Sequence, residues 1–170
     1  MVVIAKAIGF MAFFITCAGY LSRSDDKLKL AIAVSAGLLS FHYVLLAAWV
    51  AAASLLVNFV RNQISRKRQG ISWFVGFAII QLAVSVILYQ TVRDIFPILG
   101  SLISGYALFC ERGRRLRILM IICTIMWLIN NILLLSYGAM LQDSLSIIAN
   151  VIGIAKIAKV KGIGAAVDMK

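Results

Sequence analysis

Two short motifs carry the clearest suggestion of chemistry in this chain. Asn58 and Asn150 each follow a serine, Ser54 and Ser146, by one helical turn inside otherwise apolar runs, so each pair lines one face of its helix. An amide offers two donors and a carbonyl acceptor, which suits hydroxyl-rich or zwitterionic solutes. His42, the single histidine, is the one side chain in these runs that changes charge near neutral pH unaided; a solute contact, a proton carrier and a satisfied interhelical bond all fit it. Asn130 and Asn131 stand about 100° apart on a helix, so at most one points at the axis, and alignment with His42 favours Asn130. Polar groups at membrane depth are expensive and face a cavity or a partner helix. The competing reading of these residues is therefore helix-to-helix bonding, worth roughly 0.6 kcal/mol per bond.

The elements that hold these residues follow from composition. A 170-residue chain that is 63% apolar has too little polar surface to cover a soluble globule. Its apolar runs are continuous, which excludes the alternating strands of a barrel, and several approach the roughly 20 residues that cross about 30 Å of hydrocarbon as a helix. The expected class is an all-α membrane protein with seven transmembrane helices, at about 3–22, 28–47, 50–65, 71–90, 94–111, 116–137 and 141–160. The apolar run over residues 28–60 would be about 50 Å long as one helix, too long for a single span, so it folds back between Ala47 and Ala53 with Trp49 as an interfacial anchor.

Seven spans place fifteen of the 17 basic residues on one face: Arg23, Lys27 and Lys29; Arg61, Arg66, Lys67 and Arg68; Arg112, Arg114, Arg115 and Arg117; Lys156, Lys159, Lys161 and Lys170. Lys6 and Arg93 fall opposite. The crowded face is then cytoplasmic, with the N-terminus outside and the C-terminus inside. These clusters explain the net charge of +11 without nucleic acid as a partner. A cleaved signal peptide is disfavoured because the cations follow the first apolar run. Cys17, Cys110 and Cys123 read as small buried hydrophobes. No nucleophile with a base, carboxylate dyad, metal set or phosphate loop is visible, so neither an enzyme nor a cofactor is expected.

Laying helices 1–3 on helices 5–7 shows an internal repeat. Gly9 falls on Gly100, Lys27-Leu28-Lys29-Leu30 on Arg115-Leu116-Arg117-Ile118, His42 on Asn130, Trp49 on Tyr137, and Ser54 and Asn58 on Ser146 and Asn150. Helix 4 has no counterpart. The expected units are residues 1–66, a linker helix over 67–92, a second repeat over 93–162 and a tail over 163–170. An odd linker helix lets both repeats enter the membrane in the same direction.

This 3+1+3 order resembles the SWEET and SemiSWEET sugar transporters. A closer resemblance is to the YgjV family of bacterial inner-membrane proteins. It is carried by Leu21-Ser22-Arg23-Ser24-Asp25-Asp26-Lys27, Phe41-His42-Tyr43, Leu56-Val57-Asn58, Pro97-Ile98-Leu99-Gly100, Tyr106-Ala107-Leu108-Phe109, Trp127-Leu128-Ile129-Asn130-Asn131 and Ala149-Asn150. The chain departs from the sugar transporters near Ala18-Gly19 and Phe109-Cys110, where a Pro-Gln pair is expected. The resemblance implies a small-polar-solute transporter working by alternating access, with Asn58, Asn150, His42, Asn130, Ser54 and Ser146 at a central site. The alternative is a binding, receptor or assembly protein on the same fold. Expected partners are the lipid bilayer and the solute, and homo-oligomerisation is left open.

Overall fold

A computed structural model describes residues 2–21 and 25–167 of the chain. The side chains of residues 2, 19–33, 156 and 159–167 lie outside the described set, as do residues 1, 22–24 and 168–170. The placements expected for Arg23, Lys27, Lys29, Lys156, Lys159, Lys161 and Lys170 therefore fall outside it too.

The apolar runs form seven α-helices: α1 (Val2–Leu21), α2 (Asp25–Leu45), α3 (Trp49–Ser65), α4 (Ile71–Leu88), α5 (Ile95–Cys110), α6 (Gly113–Leu133) and α7 (Tyr137–Val167). A 3₁₀ turn, Val92–Asp94, precedes α5, and there is no strand among the described residues. Helices over Ile71–Leu88, Val92–Cys110, Gly113–Leu133 and Tyr137–Ala155 are long and apolar enough to cross a membrane; Val3–Ala18 and Val34–Leu45 form shorter apolar stretches. On α4 the buried residues are Gln81 and Ser85 alone, while Val86 and Ile87 are about four-fifths exposed, at 79% and 80%. So apolar a surface calls for lipid as solvent.

Six helices form a closed ring in the order α1, α2, α3, α5, α6, α7, with α7 returning to α1 and α4 packed outside on α3 and α5. Small residues permit the close approach, as usual where lipid removes the hydrophobic drive between helices. The core consists of Ala12, Ala48, Ala51, Ala52 and Ala139 around Tyr43, Leu39, Cys123 and Trp127. Gly9 of α1 and Gly138 of α7 meet backbone to backbone.

The expected fold-back after helix 2 occurs at residues 46–48, and the same turn recurs 88 residues later. Ala47 N–H donates to Val44 and Ala48 N–H to Tyr43, at 3.0 and 2.9 Å; Leu135 N–H donates to Ile132 and Ser136 N–H to Asn131, again at 3.0 and 2.9 Å. Ala47 and Leu135 are both left-handed, with φ of 53° and 52°. Each turn is thus a Schellman cap that satisfies orphan carbonyls and starts the next helix within two residues, although neither uses glycine. Trp49 and Tyr137 open α3 and α7 beside these turns, and the Lys6 ammonium lies 5.2 Å from the centre of the Tyr137 ring.

Candidate functional site

Five of the ring's helices line a partly open cavity of about 180 Å³. Helix α2 gives it Leu39 and Tyr43; α3 gives Leu55, Asn58, Arg61 and Asn62; α5 gives Ser104. From the other side come Met120, Cys123, Trp127 and Asn131 of α6 and Ala139, Gln142 and Asp143 of α7. Counting from the turns at 1.5 Å per residue, Asp143 lies about 12 Å into its helix, Asn58 about 16 Å and Arg61 about 21 Å. Asp143 and Asn58 thus lie well within their helices, and Arg61 lies one turn before the end of α3.

Arg61 is 4% exposed. Its Nη1 donates to the Ser101 carbonyl at 2.6 Å and its Nη2 to Asn62 Oδ1 at 3.0 Å, while Nε has no partner. A β-carbon on Gly105 would lie 3.3 Å from Arg61 Nη1, so the small residue makes room for the guanidinium between α3 and α5. Asn58 donates from Nδ2 to Ser101 Oγ at 3.0 Å, which leaves its Oδ1 buried and unpartnered. Ser101 and Gly105 of α5 thus position both polar side chains.

Across the cavity, the Tyr43 hydroxyl donates to Asn131 Oδ1 at 2.8 Å, and Asn131 Nδ2 donates to Asp143 Oδ2 at 2.7 Å. Tyr43 and Trp127 stand beside this relay with ring centres 6.0 Å apart. Arg61 and Asp143 do not form an ion pair with each other among the described residues. The site therefore gathers a guanidinium, a carboxylate and two aromatic rings around one partly open cavity.

The six residues singled out by sequence separate into different roles. Asn58 lines the cavity. Asn150 donates to the Ser146 carbonyl of its own helix at 2.9 Å, and neither Asn150 nor Ser146 belongs to the lining. Measured from Ala47 and Leu135, Asn150 is one turn, about 6 Å, deeper than Asn58, so the two are not at matched depth and Asn58 corresponds in register to Ser146. Ser54 accepts a 2.7 Å bond from Gln81 Nε2 of α4 and faces away from the cavity lining. His42 is fully buried, with Nδ1 2.6 Å from the Ala5 carbonyl and Nε2 2.6 Å from Ser136 Oγ. A carbonyl can only accept, which assigns the proton to Nδ1 and lets the Ser136 hydroxyl donate to Nε2. His42 thus ties α2 to α1 and to the turn between α6 and α7. Asn130 is buried with Nδ2 unpartnered and lies outside the lining, whereas its neighbour Asn131 reaches the cavity, the reverse of the choice that alignment favoured.

Arg61, Asp143, Tyr43, Asn131 and Gln142 were not among the residues that sequence reasoning selected. Arg61 lies within α3, apart from the loop cations Arg66, Lys67 and Arg68 with which it was grouped. Its signal was distance: it stands 14 residues beyond the turn and four before the end of α3.

The geometry defines a helical membrane protein with a charged and polar cavity in its centre. The chain belongs to the family described as Imp-YgjV, bacterial inner membrane protein, whose model matches residues 3–161. It is 24% identical over 153 residues to inner membrane protein YgjV of Escherichia coli strain K12, covering 90% of this chain and 84% of that protein. No solved structure gives a significant match.

Proposed function

We propose that this protein transports a small polar solute across the bacterial inner membrane by alternating access, without enzymatic chemistry or a cofactor. The observation that carries the reading is the polar cavity lined by α2, α3, α5, α6 and α7. A protein serving only as a scaffold gains nothing from burying Arg61 with its Nε unpartnered, which is costly in hydrocarbon.

A parallel repeat, α1–α3 and α5–α7 joined by α4, is part of the same reading. The contact of α1 with α7 mirrors that of α5 with α3. Tyr43 and Asn131, 88 residues apart like the two turns, hydrogen-bond to each other, as expected where a twofold axis normal to the bilayer passes between equivalent positions. Alternating access would rock one three-helix unit against the other about this axis. All seven helices would cross the bilayer, with the turns at Ala47 and Leu135 outside and Gln69 inside, in keeping with the basic clusters.

Uptake tests the proposal. Proteoliposomes should accumulate at least one labelled member of a panel of hexoses, polyols and amino acids above protein-free vesicles, and Asn58→Leu should lower affinity for it about 5- to 150-fold. A folded protein that moves no panel member, and whose cavity remains sealed, would favour the binding or assembly role.

A further inference from the structure

The reading of the cavity as a solute site leaves open which chemistry it selects. Three observations bear on this. The first is charge: Arg61 and Asp143 both line the cavity yet do not pair with each other among the described residues. Two opposite charges held apart at membrane depth each lack a full counterpart, an expensive arrangement unless a ligand supplies both.

The second observation is the set of free atoms. Arg61 and Asn58 are 4% and 7% exposed, and each keeps one buried polar atom without a partner: a donor, Arg61 Nε, and an acceptor, Asn58 Oδ1. The third is order along the membrane normal. Asp143, Asn58 and Arg61 stand 8, 11 and 14 residues beyond their matching turns, so they follow one another at steps of about 4.5 Å. From the outer side inward the cavity thus offers a carboxylate, an amide acceptor and a guanidinium donor. Beside the carboxylate lie the rings of Tyr43 and Trp127, whose faces favour a cation.

We propose that the cavity binds a small amino-carboxylate zwitterion, with its ammonium between Asp143 and Asn58 and its carboxylate on Arg61. The ammonium donates N–H bonds to Asp143 and to Asn58 Oδ1. The carboxylate accepts from Arg61 Nε, in a charge-assisted bond of the stronger kind. A primary ammonium is specified over a quaternary one because Asn58 Oδ1 needs a donor. The cavity volume of about 180 Å³ is below the roughly 300–1,000 Å³ typical of drug-sized ligands and suits a molecule of this scale. The inference rests on the solute-site reading and narrows it to one ligand class.

The test is the thermal unfolding midpoint of the purified full chain in nanodiscs, titrated with L-serine and 4-aminobutyrate, with butyrate, glycine betaine and glucose as comparators. At least one of the two amino-carboxylates should raise the midpoint saturably at millimolar concentration, with each comparator weaker. Arg61→Gln and Asp143→Asn should each weaken that ligand about 10- to 150-fold. Ligand-free midpoints and gel-filtration profiles report whether the variants fold, and if one does not, the comparator ranking on the unaltered protein decides. Equal protection by butyrate overturns the proposal in favour of a simple anion site, and equal protection by betaine removes the role of Asn58 Oδ1. No response to either amino-carboxylate also overturns it. Glucose protection that survives Arg61→Gln, accompanied by glucose uptake, refutes the zwitterion while the transport reading stands. Amino-carboxylate binding without uptake of any panel member refutes transport alone.

Discussion

Gly138→Val should leave little folded protein. A β-carbon at Gly138 would run into the Gly9 carbonyl and the Phe10 amide nitrogen, all backbone atoms that cannot rotate away. Helices α1 and α7 would have to separate along the contact that closes the ring. Overpacking a well-fitted interior costs about 1–3 kcal/mol and more where the backbone must shift, a large share of the roughly 5–15 kcal/mol that holds a typical fold. Gly37→Ala is the matched control, because nothing lies within 4 Å of a β-carbon there, and an alanine inside α2 should be neutral or stabilising by about 0.5–1 kcal/mol. Monodisperse yield on size-exclusion chromatography distinguishes the two, and equal yields would contradict the close approach of α1 and α7.

Asn131→Leu carries the second large effect. It removes the partner of the Tyr43 hydroxyl and of the Asp143 carboxylate together. An average interhelical bond in a membrane is worth only about 0.6 kcal/mol, and by that measure the change would be minor. What decides is that a buried hydroxyl and a half-buried carboxylate are left without their partner, so the expected loss is roughly 2–4 kcal/mol. Asn131→Leu with Asp143→Leu should recover part of it, because removing both partners of a buried bond costs less than stranding one. Reversible unfolding in mixed micelles gives the four corners of this cycle. Strictly additive losses would show that the relay is not coupled.

The helices were legible in the sequence because each apolar run is continuous and nearly as long as a bilayer is thick; α1, α3 and α4 begin within one residue of expectation. The start of helix 7 was placed four residues late, and that displacement mattered. It set Asp143 at the rim of a span, where an acid needs no explanation, whereas α7 begins at Tyr137 and carries Asp143 inward. Arg61 was hidden in the same way, by three true loop cations a few residues beyond it. The match of Ser54-Leu55-Leu56-Val57-Asn58 with Ser146-Ile147-Ile148-Ala149-Asn150 is a local likeness that competes with the register set by the turns, and the turns decide depth. The choice between Asn130 and Asn131 needed the rotational phase of α6, which comes from its packing on α5 and α7 rather than from its own pattern.

The claim that the central cavity is a water-accessible path can be tested through Cys123, a native thiol that lines the cavity and is 5% exposed. With Cys17 and Cys110 replaced by serine, a charged, membrane-impermeant methanethiosulfonate reagent is applied to right-side-out and inside-out vesicles in turn. Added cysteines at the exposed positions Leu135 and Gln69 mark the two faces in parallel samples, Leu135→Cys expected to label from outside and Gln69→Cys from inside. The expected result is slow labelling of Cys123 from both faces as the cavity opens to each in turn, suppressed by a bound solute. Rapid labelling of both face markers with Cys123 inert from either side would mean a sealed core and would contradict the transport account.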